Sequence, residues 1–188
     1  MARGGRALHA RVTKSIFAAL VALAVLAGKD VATADQAATP PTPLLSCSGP
    51  EYRQFDFWVG DWDAFAPGAA TASARVRVTR ILDGCAIRED YQDVRGLVGT
   101  SVSTYDRSRQ LWHQSWVTNR GQLLLLDGAF ANGAMVLAGP DRAGGAAALA
   151  RGTWTNTQDG VREIGVTSAD GGKTWHPWFD LMFRPHKA

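Results

Sequence analysis

The stretch "FDFWVGDWDAF", Phe55 to Phe65, places five aromatic rings and three aspartates within eleven residues. Its two halves follow different periods. Tyr52, Phe55 and Val59 recur at spacings of three and four behind Ser48-Gly49-Pro50-Glu51, which has the form of a helix capping box. From Gly60 onward Asp61 and Asp63 alternate with Trp62, which suits a strand with its acids outward and its indole inward. The stretch therefore predicts a short helix leading into a first strand, with Trp58 and Trp62 plugging one end of the fold. The same alternation makes Asp61 and Asp63 poor candidates for an acid/base pair.

Beyond this point the chain reads as short β segments. They run approximately Asp61–Phe65, Ala74–Leu82, Ala86–Val94, Thr100–Asp106, Leu111–Thr118, Gln122–Phe130, Ala134–Gly139, Ala147–Trp154, Val161–Thr167 and Trp175–Arg184. Between them lie "APGAA", "LDGC", "DVRG", "DRSRQ", "TNRGQ", "ANGA", "GPDRAGG", "TQDG" and "ADGGK". Their Gly, Asn, Asp and Pro residues supply the positive or preset φ that tight turns need. About ten strands joined by hairpin-length loops, with no helical run between them, predict an antiparallel meander. Closure into an up-and-down barrel would remove its exposed edges. The domain is expected over about 48–188.

The first residues read as an address. Arg3, Arg6, Arg11 and Lys14 precede the apolar run Ile16–Ala27, and Ala32-Thr33-Ala34 offers a small-residue cleavage site. Residues 1–34 thus form an expected secretory signal peptide, and 35–47 a Pro- and Ala-rich tether. Residues 1–34 carry five of the 20 basic and one of the 17 acidic side chains, which leaves 15 against 16 downstream. The alkaline balance belongs to the leader, and support for a nucleic-acid partner goes with it. Cys47 and Cys85 are the only cysteines, and in an exported chain such a pair is expected to be a disulfide. A periplasmic or secreted location follows from the leader.

A longer set of motifs carries a resemblance. "GDW" at the entry to the first strand resembles the G-x-W signature of lipocalins. With "GCAIRE", "YDRSRQLWHQSWV", "GAMVLAG" and "SADGGKTW", the chain from about Cys47 to Arg184 resembles a family of exported bacterial lipocalin-like, calycin-type β-barrels of unknown function. The resemblance implies a barrel whose Trp62 closes one end, with an arginine packed across it. Arg184 is the best placed candidate and Arg162 the second. It implies no established activity and no catalytic residues.

Alternation also nominates interior side chains. In "AIREDY", Glu89 and Tyr91 share a face with Ile87. An ionised carboxylate inside a barrel needs a partner, and Arg162 in "VREIGV", on a face with Ile164 and Val166, could be it; a purely structural ion pair, or a register that leaves both in water, is the alternative. In "LWHQSWV", Trp112, Gln114 and Trp116 alternate against His113, so the first three can line an interior while His113 faces out. Tyr105 completes the expected wall. "SADGGKTW" has the form of an Asp box, explained as a hairpin turn held by Asp170 with Trp175 beneath it. With His113, His176 and His186 as the only histidines after the leader, no metal or haem ligand set is apparent, and no cofactor is expected.

Three functional readings follow. The preferred one is a small exported barrel that binds an apolar or amphipathic molecule through Glu89, Tyr91, Tyr105, Trp112, Gln114, Trp116 and Arg162. The second is an enzyme using Glu89 with Arg162 or Tyr91. The third is an envelope interaction protein whose barrel is filled and whose outer surface carries an apolar patch.

Overall fold

The computed structural model describes residues 46–187. The expected signal peptide and all but the end of the expected tether lie outside the described residues. Every element described below lies within the unit Pro43–Ala188.

Ten antiparallel strands form one closed barrel. They are β1 (Gly60–Phe65), β2 (Ala74–Ile81), β3 (Ala86–Asp93), β4 (Val98–Asp106), β5 (Leu111–Thr118), β6 (Leu123–Ala131), β7 (Ala134–Pro140), β8 (Leu149–Thr157), β9 (Gly160–Ser168) and β10 (His176–Pro185). Each strand pairs with its sequence neighbours, and β1 closes the ring on β10 through Trp62 opposite Pro185 and Ala64 opposite Phe183. Closure leaves no free edge to recruit another strand.

The interior face follows from pleat alternation. Trp62 and Ala64 on β1, Val76 and Val78 on β2, Leu124 and Leu126 on β6, Met135 and Leu137 on β7, and Val161 and Phe183 on β9 and β10 are all buried. Because the strands run alternately up and down, the β1–β2, β3–β4, β5–β6, β7–β8 and β9–β10 connections all lie at one end. The N-terminal segment lies at the other.

That segment is made of two short 3-10 turns, Pro50–Arg53 and Asp56–Trp58. The expected capping box does not form. Gly49 occupies the cap position with no side-chain hydrogen bond, and the Ser48 hydroxyl meets that of Ser46 at 2.8 Å instead. Pro50 at the start and the brevity of each turn give the Ser48 hydroxyl no long run of orphan N–H groups to satisfy.

The turns fill the lower barrel with aromatic rings. Phe55 lies edge-on to Trp112 and Trp154, and Trp58 lies edge-on to Phe183 at 4.5 Å and stacked on Trp62. The Trp62 indole N–H donates to the Trp58 carbonyl oxygen at 3.0 Å. Trp58 and Trp62 thus form the floor. Arg184 does not complete it. Phe183 takes the inward position on β10, so Arg184 points outward, where its guanidinium sits 5.0 Å from the Phe65 ring centre. Trp58 covers the Trp62 ring in place of an arginine.

Cys47 and Cys85 are joined by a disulfide, which bolts the segment before the floor to the β2–β3 turn. Closing a loop of 38 positions is worth at most about 4 kcal/mol on the chain-entropy account. The turn itself is left-handed at three successive residues, Leu82, Asp83 and Gly84. Arg53 donates to the carbonyl oxygens of Cys47 and Gly84, tying both sides of the bridge together.

Candidate ligand cavity

Above the floor the barrel is open. A cavity of about 560 Å³ extends to the loop end, with Pro67, Val94, Arg95, Leu97, Gln122 and Trp178 around its mouth. Its wall is largely apolar, built from Trp116, Leu124, Leu126, Ala150, Trp154, Phe179 and Leu181. Glycines keep large rings from filling it. A methyl group at Gly99 would collide with the Trp116 ring, one at Gly152 with Trp154, and one at Gly165 with Phe179. Each ring therefore lies against a bare stretch of backbone rather than across the lumen.

A polar group sits within this wall. Glu89 on β3 is 8 % exposed, and its Oε2 accepts a hydrogen bond from the Ser101 hydroxyl on β4 at 2.9 Å. Gln114 Nε2 on β5 donates in turn to Ser101 Oγ at 3.4 Å. Three neighbouring strands thus supply a relay that ends on the carboxyl. Burial pushes the Glu89 carboxyl up to about 7, with the Asp90 charge adding to the rise and the Ser101 bond opposing it.

A second carboxyl, Glu163 on β9, also lines the cavity. Burial and the charge of Glu89 hold it well above the usual carboxylate range, and only the Trp154 indole opposes the rise. That indole N–H has no hydrogen-bond partner among the described residues, so it does not close on Glu163 at full bonding geometry. Tyr91 is pushed up to about 12 by burial and by the acids Asp93, Glu163 and Glu89. Asp93, near the mouth, moves the other way. Burial raises it, but N–H groups of Leu97 at 2.9 Å and Arg95 at 2.8 Å more than offset that.

Of the residues named from sequence, Glu89, Tyr91, Gln114 and Trp116 line the cavity together. Tyr105 and Trp112 face inward but belong to the floor. Tyr105 lies edge-on to Tyr52 and Trp112, and the Trp112 indole N–H donates to Gln54 Oε1 at 3.0 Å. Arg162 is a correction. It does share a face with Ile164 and Val166, but that face is the outer one, and its guanidinium forms a two-bond pair with Asp180 there. Val161, Glu163 and Gly165 take the inward register, since Leu181 stands opposite Glu163 and Phe183 opposite Val161. The signal for Glu163 lay in Gly165, the wall glycine two positions on, which shares its face.

Outside the barrel, His113 bridges Asp127 and Ser115, and His186 bonds Asp63. Among the described residues no group of three or more His, Cys, Asp or Glu side chains is placed to hold a metal. No helix among them is long and apolar enough to cross a membrane. The Asp box forms its turn, with Asp170 accepting from Lys173 N, Thr174 N, Thr174 Oγ1 and Ser168 Oγ. Trp175 donates to the Gly172 carbonyl oxygen, beneath the Arg151 guanidinium at 4.1 Å. On the outer face of β4–β6, Val98, Val102, Val117, Leu123 and Leu125 are exposed.

Fold and cavity together define a ten-stranded up-and-down barrel with a sealed floor, an open mouth and a carboxyl-bearing lumen. Comparison of the chain with protein-family models and with curated proteins finds no match.

Proposed function

We propose that this is an exported lipocalin-like barrel that holds one small amphipathic molecule in its lumen. The observation that carries the reading is the cavity of about 560 Å³, open at one end, with apolar walls around a few convergent polar groups. That volume and composition are typical of small-molecule sites. The Trp58–Trp62 floor supports the lipocalin-like assignment, and the Cys47–Cys85 bridge with the leader-like start supports export. Trp116, Leu124 and Leu126 would receive the apolar part, while Glu89, Ser101 and Gln114 would fix the polar end.

Native mass spectrometry and solvent extraction of the purified protein test this reading. A bound amphiphile is expected, or one-to-one uptake of an added one. Leu126→Trp, which fills the lumen, should abolish uptake while the protein still unfolds cooperatively. A protein that takes up no amphiphile overturns the reading.

A carboxyl titrating near neutrality favours a second reading, in which Glu89 moves a proton on the bound molecule. Arg162 has no part in it, because it stands outside. Glu89→Gln separates the two readings, since catalysis would be lost while binding of a neutral amphiphile survives.

A further inference from the structure

The lumen is polar in one sense only. Its deep titratable groups are Glu89 and Glu163, with Tyr91 above them, and all three hold protons more tightly than in water. Two arginines contribute to the lining, and both guanidinium groups are engaged elsewhere. Arg95 reaches Asp93 at 3.4 Å by the mouth, and Arg151 lies over Trp175. Asp93 is occupied by its own loop N–H groups, Asp90 pairs with Arg88, and Asp180 pairs with Arg162. Two carboxyls thus face an apolar lumen with no internal cation among the described residues.

An independent observation lies beside them. The Trp154 indole is 3 % exposed and lines the cavity, yet its N–H has no hydrogen-bond partner among the described residues. A buried donor left open next to a carboxyl costs stability, and an ionised carboxylate is a stronger acceptor for it than the neutral acid. The Trp154 N–H is thus placed to favour an anionic Glu163, and an anion buried there needs a compensating cation.

We propose that the molecule held in the lumen is an amphipathic amine, bound with its ammonium group between Glu89 and Glu163 and its apolar tail toward Trp116, Phe179 and the mouth. This rests on the lumen-binding reading above and names the chemistry of its polar end. The ammonium enters protonated. One carboxyl proton leaves the pair for solvent, Ser101 keeps its bond to Glu89, and the Trp154 N–H closes on Glu163. Fatty acids are disfavoured by the same arrangement wherever Glu89 is ionised, because a second carboxylate would join an uncompensated anion.

The test compares decylamine, decanol and decanoate by isothermal titration calorimetry in buffers of different ionisation enthalpy. At about pH 8, decylamine should bind roughly tenfold or more tighter than decanol, and decanoate should bind weakest. Near neutral pH its binding should release protons, and the preference should shrink toward about pH 5 as both carboxyls hold theirs. Glu163→Gln should cut decylamine affinity while leaving decanol affinity nearly unchanged. Decylamine binding without proton release from the wild-type protein overturns the proposal without recourse to any variant. Decanol or decanoate binding as tightly as decylamine overturns it too, and leaves lumen binding intact. Failure of all three probes overturns lumen binding as well.

Discussion

A carboxyl whose titration is raised by burial makes folding itself depend on pH. Glu89 and Glu163 both titrate higher in the barrel than in an unfolded chain. Between about pH 4.5 and 7 the folded state therefore binds more protons than the unfolded one, and stability declines as pH rises through that window. Below it the full stabilisation is present; above it the cost of the buried Glu89 charge is carried in full, and Glu163 adds a decline of the same sign. Glu163→Gln should accordingly raise the melting temperature at about pH 8 and flatten the decline, with little effect near pH 4. Thermal unfolding followed across pH checks this, and a variant less stable than wild type at about pH 8 would contradict it. The sequence placed Glu89 correctly because Ile87 and Tyr91 marked its face. It hid Glu163 because Ile164 and Val166 marked the wrong face: apolar side chains also cover the outside of a barrel, and small Gly165 left the inner face looking empty.

The floor segment is where local pattern and tertiary packing part company. Helical spacing in Tyr52, Phe55 and Val59 was enough to find it, yet two 3-10 turns form instead of an α-helix. Only rings of the barrel wall decide how those residues seat, and no local rule contains them. The strands were far more legible, since all ten stand within a few residues of where alternation and turn chemistry put them. The lid over Trp62 separates the two descriptions experimentally. Trp62→Ala removes a ring stacked on Trp58 and a hydrogen bond, and should cost about 3–5 kcal/mol in denaturant unfolding. Arg184→Ala, at an exposed guanidinium over Phe65, should cost no more than about 1 kcal/mol. Equal losses from the two would mean that the arginine, not Trp58, covers the indole.

At the scale of the molecule, the barrel is two compartments end to end, a lower half filled by the N-terminal turns and an upper half left hollow. Period and turn length revealed the meander and hence closure. They did not reveal the hollow, because its volume depends on ten strands closing at one circumference and on where the plug stops. Tyr105 and Trp112 show the limit: their inward facing was readable, their depth was not. The wall glycines carry a consequence for spectroscopy. With Trp116 laid on Gly99 and Trp154 on Gly152, two indoles border the lumen and a third, Trp178, stands at its mouth, while Trp58, Trp62 and Trp112 are sealed in the floor. The protein thus carries its own optical probe. An occupant should change the intrinsic fluorescence, Trp116→Phe and Trp154→Phe should each remove part of that change, and Trp112→Phe should leave it whole. The emission spectrum can then report entry into the lumen without any label, even before the occupant has been identified.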